Sequence, residues 1–234
     1  MGNKKSKNYN DPNNPINLKL YKTLINDYYL PPSNYFYFPN SFIIFNSIDD
    51  IFYLIYSNKN NLLTFDLNDN KKIVNIKNAH KGNITNFRYY LDQINKRDLI
   101  ISISFEDKNI KLWNVKNFEC LHIFEKVNDF CSIVSACFFN DSDNIYIITS
   151  CYLGLRSYQP PNLIRIFDLD GNKIKEINDS NFFINYIDSY YDDKISKNFI
   201  IVATFEKAIS YDFKENKKYK NYLCTEEFSM LLIL

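Results

Sequence analysis

The sequence predicts an all-β fold built from a repeated unit of four short antiparallel strands. The 234-residue chain is rich in Ile, Phe and Tyr, with 20 Phe and 19 Tyr against 4 Gly and 2 Met, and β-branched and aromatic residues favour strands over helices. From Ser41 onward, short apolar or alternating runs are separated by turn residues, as expected for successive strands. Four of these runs end in an aromatic residue followed by Asp or Asn.

The four aromatic pairs recur along the chain. Each closes an alternating strand, and they are Phe65-Asp66, Trp113-Asn114, Phe167-Asp168 and Tyr211-Asp212. Their separations run from the mid-forties to the mid-fifties. That spacing is close to a repeat of about 40–45 residues with loop insertions, which is the period of four-stranded propeller blades.

The second unit carries the fullest pattern. His80 and Gly82 lie in a turn that leads into a strand, Asp107 lies in a tight connection, and Trp113-Asn114 ends the following strand. With the period, this stretch resembles a WD40 repeat. The resemblance implies a β-propeller of four-stranded antiparallel blades. It also implies that His80, Asp107 and Trp113 belong to a buried polar chain that holds the blade together.

The sequence does not show which residue supplies the hydroxyl group of that polar chain. Phe105 stands two positions before Asp107, so Ser104 or Ser102 would have to substitute for the usual Ser or Thr. A buried group left unpaired costs about 1–3 kcal/mol, so such a chain tends to exist whole or not at all. An incomplete chain is therefore one expectation. The alternative is that His80 is a surface turn residue and Trp113 an ordinary core residue.

The domain organisation follows from the repeat. Residues 1–15 are expected to form a flexible segment and 16–40 an N-terminal arm. Blades are expected at 41–78, 79–128, 129–179 and 180–225, with a further blade starting at 226–234. In the third blade, Asp170-Gly171 predicts a two-residue hairpin turn. Because WD40 rings usually close with seven blades, the resemblance implies a partial or truncated ring, or a ring that another chain completes.

The first residues match a lipidation pattern. Gly2 follows Met1 and Ser6 stands at the required position for N-myristoylation. Lys4, Lys5 and Lys7 add a basic cluster beside the acyl chain. One myristoyl chain binds membranes only weakly, and each lysine near an anionic leaflet adds about 1 kcal/mol. The segment therefore predicts weak, reversible anchoring at the cytosolic face of a membrane; the alternative is an ordinary polar start in a cytoplasmic protein.

The sequence offers little support for a catalytic site, a metal site or a cofactor site. The five cysteines include no Cys-x-x-Cys pair, and His80 and His122 are the two histidines, so no zinc site, other metal site or cofactor is expected. Cys120 lies two residues from His122, hence on the same face of a regular strand. A thiolate–imidazole pair is conceivable there, but it lacks a third orienting group. We therefore expect a protein that is not an enzyme.

A lysine-rich strand supports the alternative function. Lys217, Lys218 and Lys220 alternate with Tyr219 and Tyr222, a pattern that fits either a charged edge strand that discourages aggregation or a site for phosphoinositide or RNA. Because the net charge is +1, no overall field draws the protein to nucleic acid, and nucleic acid is not the expected partner.

The expected function is protein interaction on a non-catalytic scaffold. The WD40 resemblance implies that protein or peptide partners bind through the top face and loops of the propeller. The long loop of the third blade, 152–161, is the expected variable binding element, since loops on a rigid scaffold commonly carry function.

Overall fold

The computed structural model describes residues 42–104, 106–124, 131–141, 144–153, 163–178, 184–204, 207–215 and 217–223. All of these residues belong to one compact unit, Phe38–Leu234. Within the described residues the regular secondary structure consists of sixteen β-strands joined by turns. In that part of the chain no helix is long and apolar enough to cross a membrane.

The strands form four antiparallel sheets, each made of four consecutive strands in chain order. The first sheet contains β1 (Phe42–Asn46), β2 (Phe52–Asn58), β3 (Asn61–Asp66) and β4 (Lys71–Ile76). The second contains β5 (Ile84–Asp92), β6 (Arg97–Ser104), β7 (Asn109–Asn114) and β8 (Glu119–Phe124). The third contains β9 (Cys131–Asp141), β10 (Asn144–Leu153), β11 (Leu163–Asp168) and β12 (Lys173–Asn178). The fourth contains β13 (Ile184–Asp192), β14 (Lys197–Thr204), β15 (Lys207–Asp212) and β16 (Lys217–Leu223).

The predicted fold class is confirmed, because the described chain is all-β and every sheet is a four-stranded antiparallel blade. The four sheets fall within the four residue ranges expected for blades, and we call them blades one to four. The first strands of successive blades, β1, β5, β9 and β13, contact one another and form the inner edge. The last strands, β4, β8, β12 and β16, lie at the opposite edge of their sheets.

Three hydrophobic clusters join successive blades. One lies between blades one and two, one between blades two and three, and one between blades three and four. Strand β6 shows how alternation builds them: Leu99, Ile101 and Ile103 pack in the cluster with blade three, whereas Ile100 packs in the cluster with blade one. All four side chains are fully buried, and each contributes about 1.5–3 kcal/mol of hydrophobic stabilisation.

The predicted turn at Asp170-Gly171 differs from the structure. A two-residue hairpin of the favoured type needs positive φ at both central residues, but of the two only Gly171 has positive φ, 87°. The Gly171 N–H donates to the Asp168 carbonyl oxygen at 3.2 Å, and Phe167 pairs with Lys173 after a register shift. The connection is therefore a longer turn with a bulge, which places Gly171 in its left-handed position.

Candidate functional site

A continuous polar chain runs through the second blade from a tryptophan to an aspartate. The indole Nε1–H of Trp113 donates to Ser102 Oγ at 2.8 Å, and Ser102 Oγ lies 2.7 Å from His80 Nε2. On the other side of the ring, His80 Nδ1 lies 3.2 Å from Asp107 Oδ2. One hydrogen-bond direction satisfies every member: Trp113 donates to Ser102, Ser102 donates to Nε2, and Nδ1–H donates to Asp107. Ser102, one of the two serines that the sequence left open, supplies the hydroxyl.

Asp107 also binds the turn that joins the first two blades. Its carboxylate accepts the Lys81 N–H at 2.6 Å and the Gly82 N–H. A Cβ atom on Gly82 would lie 2.5 Å from the Cβ of Glu106, so the turn can approach this closely only with glycine. We call the turns 78–83 and 106–108 the top loops of the second blade. They are held together because backbone N–H groups of the first turn donate to the Asp107 carboxylate in the second.

His80 has the environment of a neutral, structural histidine. Burial lowers the pKa of His80 from 6.5 to about 4, helped by the nearby Lys111 cation and opposed by Asp107. The side chain is fully buried and both ring nitrogens have partners. A general base needs a free nitrogen within reach of substrate, so this histidine stabilises the blade and does not act as a base.

The four aromatic pairs occupy one structural position. In each blade the third strand ends at the pair, and its pairing with the fourth strand shifts immediately before or at the aromatic residue. The following acid or amide caps the next turn: Asp66 accepts the Asn68 N–H at 2.8 Å, and Asn114 accepts the Lys116 N–H at 3.0 Å. Asp168 and Asp212 accept backbone N–H groups in the same way. A side-chain oxygen that bonds its own turn explains this position.

The third blade has the hydroxyl of this polar chain but not its tryptophan. Trp113 pairs with Ile100, two residues before Ser102, and Phe167 pairs with Ile147, two residues before Thr149. Thr149 is therefore the counterpart of Ser102, and it is fully buried. Phe167 offers no N–H donor, and Thr149 Oγ1 has no hydrogen-bond partner among the described residues.

The Cys120 and His122 side chains do not form a pair. Leu112 pairs with His122 and Trp113 pairs with Cys120, with a bulge between them. Cys120 packs against the cluster shared with blade one, whereas the His122 ring contacts Phe124 at 4.6 Å. The expectation that they share a face is wrong, because the bulge reverses the alternation. Burial also raises the pKa of the Cys120 thiol, which disfavours a nucleophilic thiolate.

The inner strands hold a charged cluster that the sequence did not single out. Arg88 on β5 places its Cζ 4.8 Å from the ring centroid of Tyr186 on β13. The Tyr186 hydroxyl donates to Asp188 Oδ2 at 3.0 Å. The buried Cys137 thiol on β9 lies within the electrostatic influence of both Arg88 and Asp188. An arginine in a strand of aromatic residues was the one signal in the sequence for this cluster.

The lysine-rich strand β16 lies at the surface. Lys217, Lys218 and Lys220 are all exposed on β16, with Tyr219 and Tyr222 exposed beside them. Gly2, Lys4, Lys5 and Lys7 lie outside the described residues, as do the run 228–234 and nearly all of the loop 152–161. Within the described part of the chain no group of three or more metal-ligating side chains occurs.

The fold places the chain in the class of β-propellers, and comparison with solved structures agrees. The chain is similar to dihydro-heme d1 dehydrogenase NirN in complex with DHE, with 12% identity and a TM-score of 0.55 over 80% of this chain. It is also similar to Kuenenia stuttgartiensis hydrazine synthase, with 14% identity and a TM-score of 0.57 over 85% of this chain. Both structures contain propeller folds.

These likenesses establish the fold alone. The chain spans 38% of the length of the first structure and 53% of the second. No protein-family model matches the chain, and no curated protein matches it in sequence. Because propellers carry many unrelated functions, the function must be argued from the residues of this chain.

Proposed function

We propose that the chain is a non-catalytic propeller of the WD40 type that binds a protein or peptide partner through the top loops of the second blade. One observation carries the proposal. The polar groups of Trp113, Ser102, His80 and Asp107 are hydrogen-bonded to one another, and the Asp107 carboxylate also binds the backbone of the top loops. A rigid rim lowers the ordering cost of binding. The exposed side chain of Lys81 lies on this rim, and that of Lys59 lies on the adjoining turn of blade one, where the Lys59 carbonyl oxygen accepts the Ile84 N–H. Both side chains are then available to a partner.

Site-specific photo-crosslinking tests this surface. A crosslinker at Lys59 or Lys81 is expected to capture the same partner, because both exposed side chains lie at the end of the blades that carries the top loops. The matched control is Lys116, which is exposed in the turn between β7 and β8 at the opposite end of the second blade. Capture from Lys116 alone would place the partner at the opposite end and refute the proposal.

The membrane attachment is part of the same proposal. It rests on Gly2 and the lysines Lys4, Lys5 and Lys7. The test is acyl labelling with membrane fractionation of the native chain against Gly2→Ala. We expect label and membrane association to disappear together in Gly2→Ala. A variant with the three lysines changed to Gln should keep the label and lose part of the association. Unchanged fractionation of Gly2→Ala would leave a cytoplasmic scaffold.

The second candidate function is phosphoinositide or RNA binding by β16. It is favoured by the exposure of Lys217, Lys218 and Lys220 along the outermost strand of blade four. Changing all three to Thr should abolish a salt-sensitive affinity for phosphoinositide vesicles or for RNA. The control changes Lys71 and Lys72, which are exposed on the outermost strand of blade one. If the β16 variant instead aggregates and no such affinity exists in the native chain, the lysines protect an edge strand.

A further inference from the structure

The guanidinium of Arg88 lies where the first strands of three blades meet. Arg88 is on β5, and the Tyr186 ring on β13 stacks over its Cζ at 4.8 Å. Cys137 on β9, the strand between them in blade order, is fully buried beside this cluster. The arginine therefore reaches from the second blade across the inner edge of the third to the fourth.

The hydrogen bonds of Arg88 use one of its three nitrogens. Nη1 donates to Asn86 Oδ1 at 2.5 Å and to the Phe87 carbonyl oxygen at 2.9 Å. Nε and Nη2 are both buried and have no hydrogen-bond partner among the described residues. These two nitrogens form one edge of the planar guanidinium, and that geometry matches the two oxygens of a carboxylate or phosphate.

No described neighbour supplies the missing negative charge by contact. A guanidinium is a cation, and a charge that is shielded from water is stabilised by a partner of opposite sign. The carboxylate of Asp188 accepts the Tyr186 hydroxyl at 3.0 Å and the Ser189 N–H at 2.8 Å. No ion pair joins Asp188 to Arg88 in the described part of the chain.

The two other ionisable neighbours are neutral. Burial raises the pKa of Tyr186 to about 12, with Arg88 opposing the rise and Asp188 adding to it. Burial, reinforced by Asp188, also raises the pKa of the Cys137 thiol well above its ordinary value. Near neutral pH neither group provides a countercharge, so the Nε–Nη2 edge still needs an anion.

We propose that the Nε–Nη2 edge of Arg88 binds an oxyanion, a carboxylate or a phosphate, between the inner strands of blades two, three and four. Asn86 holds the far side of the guanidinium, and the Tyr186 ring covers one of its faces. Nε and Nη2 are closed to solvent, so the anion reaches them through a local opening of the surrounding side chains. This site is separate from the top loops, so its existence does not depend on the proposed partner surface.

Thermal unfolding in defined anions tests the proposal. The full chain is titrated with sodium phosphate and, separately, with sodium acetate, while chloride keeps the ionic strength constant. A ligand that binds only the folded state raises the unfolding midpoint, and we expect a saturable rise of about 2–4 °C at saturation. The anion that raises the unfolding midpoint more, phosphate or acetate, shows whether the site prefers a phosphate or a carboxylate.

Four variants separate a site at Arg88 from a general salt effect. Arg88→Met removes the edge and should abolish the response; Arg88→Gln makes the same comparison if the methionine variant does not fold. Arg88→Lys keeps the charge without the paired donors and should weaken the response at least several-fold in anion concentration. Lys116→Met removes an exposed cation that lies in neither proposed binding surface, and it should respond like the native chain.

Either of two results would overturn the proposal. One is a native chain whose midpoint does not rise above the chloride control with either anion. The other is a rise that Arg88→Met or Arg88→Gln retains, which would show a bulk anion effect. Neither result would bear on crosslinking from Lys59 and Lys81, so failure of this site and failure of the proposed partner surface remain distinguishable.

Discussion

Two equivalent hydroxyl groups differ in what they bond. Ser102 joins His80 to Trp113, whereas Thr149, at the same place in the third blade, is buried without a partner among the described residues. The difference comes from the aromatic residue opposite, because Phe167 lacks the indole N–H of Trp113. A buried hydroxyl stabilises the fold only when it is bonded.

The first prediction compares these hydroxyls. Ser102→Ala leaves His80 Nε2 and the Trp113 Nε1–H each without a partner and should lower the free energy of unfolding by about 2–4 kcal/mol. Thr149→Val removes an unpaired hydroxyl at nearly constant volume and should change stability by less than about 0.5 kcal/mol or raise it. Urea unfolding of both variants measures this, and equal losses would contradict the assigned bonding.

The second prediction concerns pH. Since the pKa of His80 falls from 6.5 to about 4 on folding, the unfolded chain binds a proton first as pH falls below 6.5. The free energy of unfolding should therefore decrease between about pH 6.5 and 4, by roughly 3 kcal/mol, and level off below. Urea unfolding across this range should show the dependence in the native chain and in His122→Gln, but much less in His80→Gln. A slope that His80→Gln retains would exclude His80 as its source.

At the scale of elements, bulges decide where side chains point. The placement of Cys120 and His122 on one strand face assumed an uninterrupted β8, but the bulge opposite Leu112 and Trp113 separates them. A similar register shift precedes or meets the aromatic residue in every blade. Strict alternation therefore holds along β6 and fails for β8, because one extra residue reverses the pattern.

The third prediction uses the turn at Gly171. A Cβ there would clash with Nε2 of His122 on the neighbouring blade, and the residue has φ 87°. Gly171→Ala should therefore cost about 1–2 kcal/mol of unfolding free energy, mostly backbone strain, because the half-buried His122 ring can shift away from the added methyl group. Introduced into His122→Ala, the same change should cost only the strain. Urea unfolding of the four chains gives the coupling, and additive losses would show that the two residues do not touch.

For the whole molecule, stability comes from stacking blades. Each blade is one sheet that buries its faces only against its neighbours, as in repeat proteins generally. The described residues place a neighbouring blade on both faces of blades two and three. The outermost strands β4 and β16 carry mainly exposed side chains.

The fourth prediction concerns hydrogen exchange. Amides in β6, β7, β10 and β11 should exchange slowest, because they lie in the interior strands of blades with neighbours on both faces. Amides in β4 and β16 should exchange faster by at least a factor of ten. Mass-spectrometric hydrogen exchange of the full chain measures both sets together. Equal protection throughout would show that the blades open as one unit.

The sequence by itself determined the all-β class, the four units of four strands and the common position of the aromatic pairs. Those features depend on composition, turns and spacing along a short stretch, which local propensity controls. Tertiary structure alone decided that Ser102 completes the polar chain and that Cys120 and His122 point apart. It also brought Arg88 to Tyr186, far away along the chain. These outcomes depend on strand register and on contacts between blades, and no local pattern of residue types encodes either one.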